Sequence, residues 1–131
     1  MSVLITGGNG YLASNIIKSF NKQNYKLKIF TSKKNINYNN NKNIEYFTYD
    51  NSDIYNFQKC LIDVDTIFHT ASLDSKQCNL SMEEAIKINE KLTSKLVLEA
   101  LSMNVKNFIF FSTAHVYSDN LQGSISEETI P

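Results

Sequence analysis

The chain has 131 residues, a length that suits one domain with a buried core. Its apolar fraction of 42% and charged fraction of 20% are typical of a soluble globular protein, and its net charge of zero gives no reason to expect nucleic acid or an anionic membrane as a partner. All thirteen basic residues are lysines, so no guanidinium fork is available to grip a diphosphate.

The cysteines and the apolar runs point to an ordinary intracellular protein. Cys60 and Cys78 lack the spacing of a metal site and are interpreted as plain thiols in a reducing compartment. No apolar run approaches the ~20 residues of a membrane span. The short apolar stretch at the amino terminus runs directly into a glycine turn, unlike a signal peptide. We therefore expect a cytoplasmic protein with no metal site.

The first half of the chain alternates strand and helix patterns. Residues 2–5 form a short apolar strand, residues 11–22 carry apolar side chains at helical spacing, and residues 26–31 alternate as a second strand. Residues 32–42 are rich in Asn and Lys without periodicity, and are interpreted as a solvated loop. Residues 44–49 are β-branched and aromatic, which predicts a third strand.

A second helix and a fourth strand follow. Apolar residues at helical spacing predict a helix that runs to about Leu61, with Ser52 or Asp53 as its N-cap. Residues 64–70 then predict the fourth strand.

A long helix and a fifth strand complete the pattern. Ser81, with Glu84 three residues later, is a capping-box sequence that opens a helix ending near Asn104. Residues 108–111 are a continuous apolar run, which is typical of a strand covered on both faces. Strands that alternate with helices predict a parallel sheet with right-handed crossovers.

The turn after the first strand has the spacing G-x-x-G-x-x-A, formed by Gly7, Gly10 and Ala13. Gly7 lets the chain turn sharply, Gly10 lets the backbone approach a pyrophosphate, and Ala13 permits close packing of helix on strand. Tyr11 and Leu12 open the helix, whose amino terminus offers N–H donors and a positive dipole. Because a strand precedes this turn and a helix follows it, the sequence predicts a Rossmann-type dinucleotide site.

The end of the second strand bears on the choice between NAD and NADP. An acidic residue that binds the ribose 2′-hydroxyl is expected there, but the chain has Thr31, followed by Ser32, Lys33 and Lys34. Two ammonium groups could accept a 2′-phosphate, which favours NADP over NAD. The alternative interpretation is that both lysines are solvated loop charges.

Five stretches of the chain resemble, in the right order, the motifs of one enzyme family. They are residues 6–13 (TGGNGYLA), Asp50, residues 68–72 (FHTAS), Asn89 with Thr93, and residues 104–117 (NVKNFIFFSTAHVY). The chain is similar to the extended short-chain dehydrogenase/reductase family, the sugar-nucleotide epimerases and dehydratases of the UDP-galactose 4-epimerase type. The last stretch is the most specific of the five matches.

The resemblance implies roles for individual residues. Asp50 corresponds to the acid that binds the adenine amino group, and Thr113 to the Ser or Thr whose hydroxyl binds the oxygen undergoing oxidation. The other positions that the resemblance places along the cofactor are Asn51, Thr70, Ala71, Ser72 and Asn89.

Several of these residues also have a plain structural interpretation. Asp50 could cap the following turn, and His69 is interpreted as a packed residue at a strand end. Tyr11 and Tyr117 are interpreted mainly as packing residues. His115, beside the Thr113 position, could contact substrate or be an exposed loop histidine.

Two observations limit the activity expected of this chain. Asp74 stands where the related enzymes often carry a Lys near the cofactor phosphates, so its charge should weaken binding. The family's acid–base pair, Tyr-x-x-x-Lys, is not found in a suitable context; Tyr38 and Lys42 have the spacing but lie in the polar loop, which we interpret as coincidence.

The sequence therefore predicts an α/β, Rossmann-type parallel sheet of about five strands with helices on both faces, truncated at its carboxyl end. Residues 1–131 form one incomplete NAD(P)-binding domain of a sugar-nucleotide epimerase or dehydratase. A non-catalytic NAD(P)-binding or regulatory module and an inert remnant remain alternatives. The expected partners are the dinucleotide, a sugar nucleotide if a carboxyl-terminal half is supplied, and, left open, further copies of the chain.

Overall fold

Five parallel strands make up the sheet in the part of the chain that the structure describes. A computed structural model describes residues 1–23, 25–32, 41–49, 57–117 and 123–130. The strands are β1 (Ser2–Thr6), β2 (Lys26–Thr31), β3 (Ile44–Thr48), β4 (Thr66–His69) and β5 (Asn107–Phe110). Their order across the sheet is β3-β2-β1-β4-β5, and each neighbouring pair runs parallel.

The helices lie between the strands in chain order. They are α1 (Tyr11–Asn21), α2 (Gln58–Leu61), α3 (Ser75–Leu80), α4 (Met82–Ala85) and α5 (Thr93–Ser102), with a π-helical segment, Ile86–Leu92, joining the last two and a 3₁₀ turn, Ala114–Val116, after β5. In these described residues no helix is long and apolar enough to cross a membrane.

The core has two layers because side chains of β1 alternate between the faces of the sheet. On one face, Leu4 packs with α2, with Leu92 of the π-helical segment and with Leu96 of α5, and both leucines are fully buried. Val3 and Ile5 pack on the other face with α1, where Ala13 is also fully buried. This burial confirms the prediction of a parallel sheet with helices on both faces, and it explains why the central strand is a continuous apolar run.

The two cysteines are free thiols, as the sequence predicts. Cys60 lies in the core beneath β2, and its thiol donates a hydrogen bond to the carbonyl of Phe57 at 3.1 Å. Burial raises the pKa of the Cys60 thiol to about 12, so it is unreactive at neutral pH.

The predicted elements agree with the structure except around the second and third helices. The proposed N-caps Ser52 and Asp53 lie outside the described residues. The helix α3, Ser75–Leu80, was not predicted. The predicted long helix is present, and its Ser81 hydroxyl accepts a hydrogen bond from the Glu84 N–H, but residues 86–92 are wound as a π-helix.

The prediction that the fifth strand is covered on both faces is wrong. β5 lies at the edge of the described sheet, and Ile109, Phe110 and Phe111 are 39%, 55% and 36% exposed. A continuous apolar run indicates that both faces of a strand can be buried, but it does not show which element covers them. Within the described residues, this strand has a neighbour only on the β4 side.

Candidate functional site

A cleft of about 400 Å³ opens at the carboxyl ends of β1, β2 and β4, and we call it the glycine cleft. Ligands of open α/β sheets bind at this edge. Its walls are Gly7, Asn9, Gly10, Thr31, Ser32, Tyr49, Thr70, Ala71, Ser72, Leu73, Gln77, Glu84 and Ile88. The structure thus brings seven of the predicted cofactor positions onto one surface. These are Gly7, Gly10, Thr31, Ser32, Thr70, Ala71 and Ser72.

The position of Gly7 requires glycine for two reasons. Its φ of +70° lies in the left-handed region, which residues with a side chain rarely adopt. A Cβ atom added there would lie 2.9 Å from the backbone N and Cα of Ala71. The turn is closed by a hydrogen bond of 2.8 Å from the Gly10 N–H to the Gly7 carbonyl. Glycine here lets the ends of β1 and β4 come into contact.

The amino terminus of α1 faces this cleft without a side-chain cap. Gly10 is the N-cap residue, and the first turn holds no acidic residue. The N–H groups of that turn are therefore left for an anion. Ala13 is fully buried against the sheet, which confirms its predicted packing role. The interpretation of Tyr11 as a packing residue is wrong, because its side chain is 87% exposed.

Hydroxyl and amide groups form the wall at the end of β2. The Asn9 amide donates a hydrogen bond of 2.7 Å to the Thr31 hydroxyl. Tyr49 stacks on the ring of Phe30, with 4.6 Å between centroids, and hydrogen-bonds to Ser32. Burial raises the pKa of the Tyr49 phenol, and the hydrogen bond to Ser32 lowers it in part. Asn9 and Tyr49 were not among the predicted site residues, although Asn9 lies within the glycine turn and Tyr49 ends the predicted third strand.

The described walls of the glycine cleft carry one charged side chain, that of Glu84, and no cation. The Glu84 carboxylate lies 3.4 Å from the ammonium of Lys87, one turn further along the helix. An anion in the cleft would therefore depend on backbone N–H groups rather than on an ion pair. Among the described residues, no group of three or more His, Cys, Asp or Glu could hold a metal ion.

A second cleft, of about 670 Å³, lies beyond the carboxyl ends of β4 and β5, and we call it the β5 cleft. Ala71, Ser72 and Leu73 line both clefts, whereas Thr70 lines the glycine cleft alone, and we call residues 70–73 the shared segment. Thr113, the predicted hydroxyl beside the reacting oxygen, lines the β5 cleft, as does Asn89. The predicted catalytic position and the predicted cofactor positions therefore meet across this shared segment.

The carboxylate of Asp74 does not lie on the described wall of the glycine cleft. It accepts a hydrogen bond of 2.8 Å from the Gln77 N–H and caps α3, while the Gln77 side chain accepts from the Asp74 N–H. Asp74 lines the β5 cleft instead. The expectation that its charge weakens phosphate binding therefore has no geometric support.

His69 ends β4 and is 1% exposed, which confirms its interpretation as a packed residue at a strand end. Its Nδ1 lies 2.7 Å from the Thr6 hydroxyl, and its Nε2 lies 2.8 Å from the Thr93 hydroxyl. Burial lowers the pKa of the imidazole to about 4, so the ring is neutral at pH 7.

Several predicted residues cannot be placed. Lys33, Lys34, Asp50 and Asn51 lie outside the described residues, and so does Tyr38.

Three further residues bear on the predicted catalytic set. The His115 side chain lies outside what the structure describes. Tyr55 and Lys59 form a second Tyr-x-x-x-Lys spacing, and Tyr55 also lies outside the described residues. Lys59 is exposed on α2, which contributes no residue to the described wall of either cleft.

The sequence and the fold both match known proteins. A model of the NAD dependent epimerase/dehydratase family matches residues 3–131. A UDP-N-acetylglucosamine 4-epimerase from Methanobrevibacter ruminantium M1, in complex with UDP-N-acetylmuramic acid, is 26% identical with a TM-score of 0.82, and the match covers 97% of this chain and 42% of that one. MoeE5, in complex with UDP-glucose and NAD, is 19% identical with a TM-score of 0.84, covering 100% and 42%. At that identity the likeness concerns the fold alone.

A protein of Methanocaldococcus jannaschii, described as an uncharacterized membrane protein, is 29% identical over 119 residues. That match covers 86% of this chain and 36% of the relative. The chain thus spans about two fifths of the length of the proteins that it matches.

The depressed pKa of His69 predicts an acid-sensitive fold. Because the folded pKa of about 4 lies below the ordinary value of 6.5, the neutral ring stabilises the fold fully above pH 6.5 and this contribution is lost as the pH falls towards 4. The loss should reach about 3 kcal/mol of unfolding free energy, at 1.36 kcal/mol per pKa unit. Urea unfolding measured at several pH values between 7 and 4 should show this slope in the wild type and in His115→Asn, which changes the other histidine, and not in His69→Asn. An equal slope in all three proteins would contradict the assignment to His69.

Proposed function

This chain belongs to the NAD-dependent epimerase/dehydratase family, and from that premise we propose that it binds NAD in the glycine cleft. We further propose that it forms the cofactor-binding part of an enzyme that acts on sugar nucleotides. The observation that carries the proposal is the turn from Gly7 to Gly10. Both glycines leave the backbone bare there, and the turn leads directly into the uncapped amino terminus of α1.

The residues present suit a dinucleotide diphosphate. Gly10 stands at the N-cap in an extended conformation, and a Cβ built there would meet one described atom within 4 Å, the Gly7 carbonyl oxygen at 3.2 Å. Since Gly10 also lines the cleft, a phosphate can approach its backbone where no side chain stands. The helix dipole adds partial positive charge at the same point, which matters where the described wall offers no cation.

The neutral wall at the end of β2 suits the adenosine ribose of NAD. Thr31, Ser32 and the Asn9 amide present hydroxyl and amide groups, which can exchange hydrogen bonds with ribose hydroxyls. A 2′-phosphate would add about two negative charges with no ammonium on the described wall to meet them. The sequence-based preference for NADP rests on Lys33 and Lys34, outside the described residues, and the described wall gives it no support.

The β5 cleft suits the substrate side of the same reaction. When bound, NAD supplies the hydride acceptor for a sugar carbon. Thr113 lies on the wall of the β5 cleft, where its hydroxyl can orient the oxygen of that carbon by a hydrogen bond. Removing the proton from that oxygen needs a general base of suitable pKa. We propose that this base lies in the part of the family's fold that this segment does not span.

The proposal predicts NAD binding that depends on the bare backbone at Gly10. Wild-type chain should release heat when NAD is titrated into it, and Gly10→Val should weaken binding by about 10- to 100-fold, as expected for losing a charge-assisted hydrogen bond of roughly 1.5–3 kcal/mol. Ser19→Val, at an exposed position of α1, is the control and should bind as the wild type does. Absence of any binding by the wild type at millimolar NAD would refute the proposed function.

The neutral described wall at the end of β2 predicts a preference for NAD over NADP. The wild-type chain should bind NAD more tightly than NADP, and Thr31→Asp should widen the ratio of the two dissociation constants at least about tenfold, since a carboxylate binds both ribose hydroxyls and repels a 2′-phosphate. Thr31→Val, which removes the hydroxyl without adding charge, serves as the comparison and should leave the ratio nearly unchanged. Tighter binding of NADP by the wild type would show that the lysines after β2 decide the preference.

The third prediction concerns turnover. The purified chain should not interconvert or oxidise UDP-, dTDP- or GDP-linked sugars, because loss of a positioned general base typically costs about 10²–10⁴-fold in rate and part of the substrate-binding energy is missing as well. Cofactor absorbance and sugar analysis would be followed together. NAD binding without turnover agrees with the proposal, and addition of a carboxyl-terminal half from a related epimerase should restore some turnover if the chain serves an enzyme. Turnover by the chain alone, lost in Thr113→Val, would show that a general base lies within it.

A further inference from the structure

We propose that His69, through a hydrogen-bonded relay from Thr6 to Thr93, is the positioning residue that holds the shared segment, residues 70–73, in place between the two clefts. This inference rests on the proposed function, because it concerns how the NAD cleft keeps its shape. It assigns His69 a role beyond packing, although the ring itself lines neither cleft among the described walls.

The beginning of the shared segment is held by the end of β1. The Thr6 hydroxyl oxygen accepts hydrogen bonds from the N–H groups of Thr70 and Ala71, each at 3.2 Å. The Thr70 hydroxyl donates in return to the Thr6 carbonyl at 2.6 Å. Because the same Ala71 backbone lies against Gly7, these bonds set the distance between the glycine turn and the opposite wall.

The end of the shared segment is held by the π-helical segment. The Asn89 side chain accepts from the Leu73 N–H at 2.8 Å and donates to the Leu73 carbonyl at 3.2 Å. It thus satisfies both polar groups of the Leu73 backbone, as a neighbouring strand would. The Asn89 backbone carbonyl accepts a hydrogen bond of 3.0 Å from the Thr93 hydroxyl.

His69 joins these two attachments through the interior. A threonine hydroxyl has one proton, and that of Thr93 is donated to the Asn89 carbonyl. The His69 Nε2 must therefore donate to Thr93, which makes Nε2 the protonated nitrogen. Nδ1 is then an acceptor and receives the Thr6 proton, which leaves the Thr6 oxygen free to accept from Thr70 and Ala71.

The direction of every hydrogen bond in the relay thus follows from the Thr93 bond. If the imidazole proton moved to Nδ1, the Thr6 oxygen would have to accept from the ring as well as from two backbone N–H groups. A hydroxyl oxygen has two lone pairs, so one of the backbone N–H groups would lose its partner. The relay therefore couples the π-helical segment to the wall of the glycine cleft.

The experiment compares Thr93→Val, which keeps the shape and removes the hydroxyl, with Thr93→Ser, which keeps the hydroxyl. ¹⁵N NMR of the His69 ring should show protonated Nε2 and bare Nδ1 in the wild type and in Thr93→Ser, and a shift of the proton towards Nδ1 in Thr93→Val. Amide hydrogen exchange at Thr70 and Ala71 should be about 2- to 10-fold faster in Thr93→Val only, the range set by one hydrogen bond. The NAD dissociation constant should rise by a similar factor in that variant only.

These readouts separate failure of the relay from failure of the proposed function. The tautomer and the amide exchange are measured without NAD and therefore test the relay on their own. A wild type that fails to bind NAD refutes the proposed function, and these two measurements still test the relay. A wild-type ring protonated at Nδ1 overturns the relay. Because this measurement is made on the wild type, it does not depend on whether a variant folds. Equal amide exchange and equal NAD affinity in Thr93→Val and Thr93→Ser overturn it as well, because loss of the hydroxyl then has no consequence at the wall.

Discussion

The contact between the turn after β1 and the chain after β4 is the constraint on which both clefts depend. The two central strands deliver their carboxyl ends side by side, and the backbone of Ala71 reaches the backbone of Gly7 because no side chain stands between them. A left-handed φ and a Cβ contact below 3 Å both exclude other residues at this point. The backbone conformation of the turn and the close approach of the chain after β4 therefore both require glycine at position 7.

The glycine cleft has few ionised side chains on its described wall. The described wall holds one carboxylate and no ammonium, so attraction for a diphosphate would come from backbone N–H groups and the dipole of α1. Such donors are fixed in direction and lose little entropy when an anion binds. Because their charge is partial, their attraction for an anion depends on close approach, which Gly7 and Gly10 permit on the described wall.

The two clefts are continuous because residues 71–73 line both of them. Hydrogen bonds tie the segment of residues 70–73 to β1 at its start and to the π-helical segment at its end. On the far side, β5 presents Phe110, more than half exposed, and an edge that has no neighbour among the described residues. The chain spans about two fifths of the length of the solved structures that share its fold.

The sequence was enough to predict the alternation of strands and helices, the parallel sheet and the glycine turn, because these depend on local periodicity, on the conformational freedom of Gly7 and on the missing side chain of Gly10. It also placed Thr31 at the end of the second strand, and the family resemblance pointed to Thr113 shortly after the fifth. It could not show that β5 is exposed or that Asp74 caps α3 rather than facing phosphates, because each depends on which element lies next to it. Only the folded chain shows that Thr6, His69 and Thr93 form one series of hydrogen bonds. These residues are 63 and 24 positions apart in the sequence, and the packing of β1, β4 and the start of α5 brings them together. No local sequence pattern carries information over such separations.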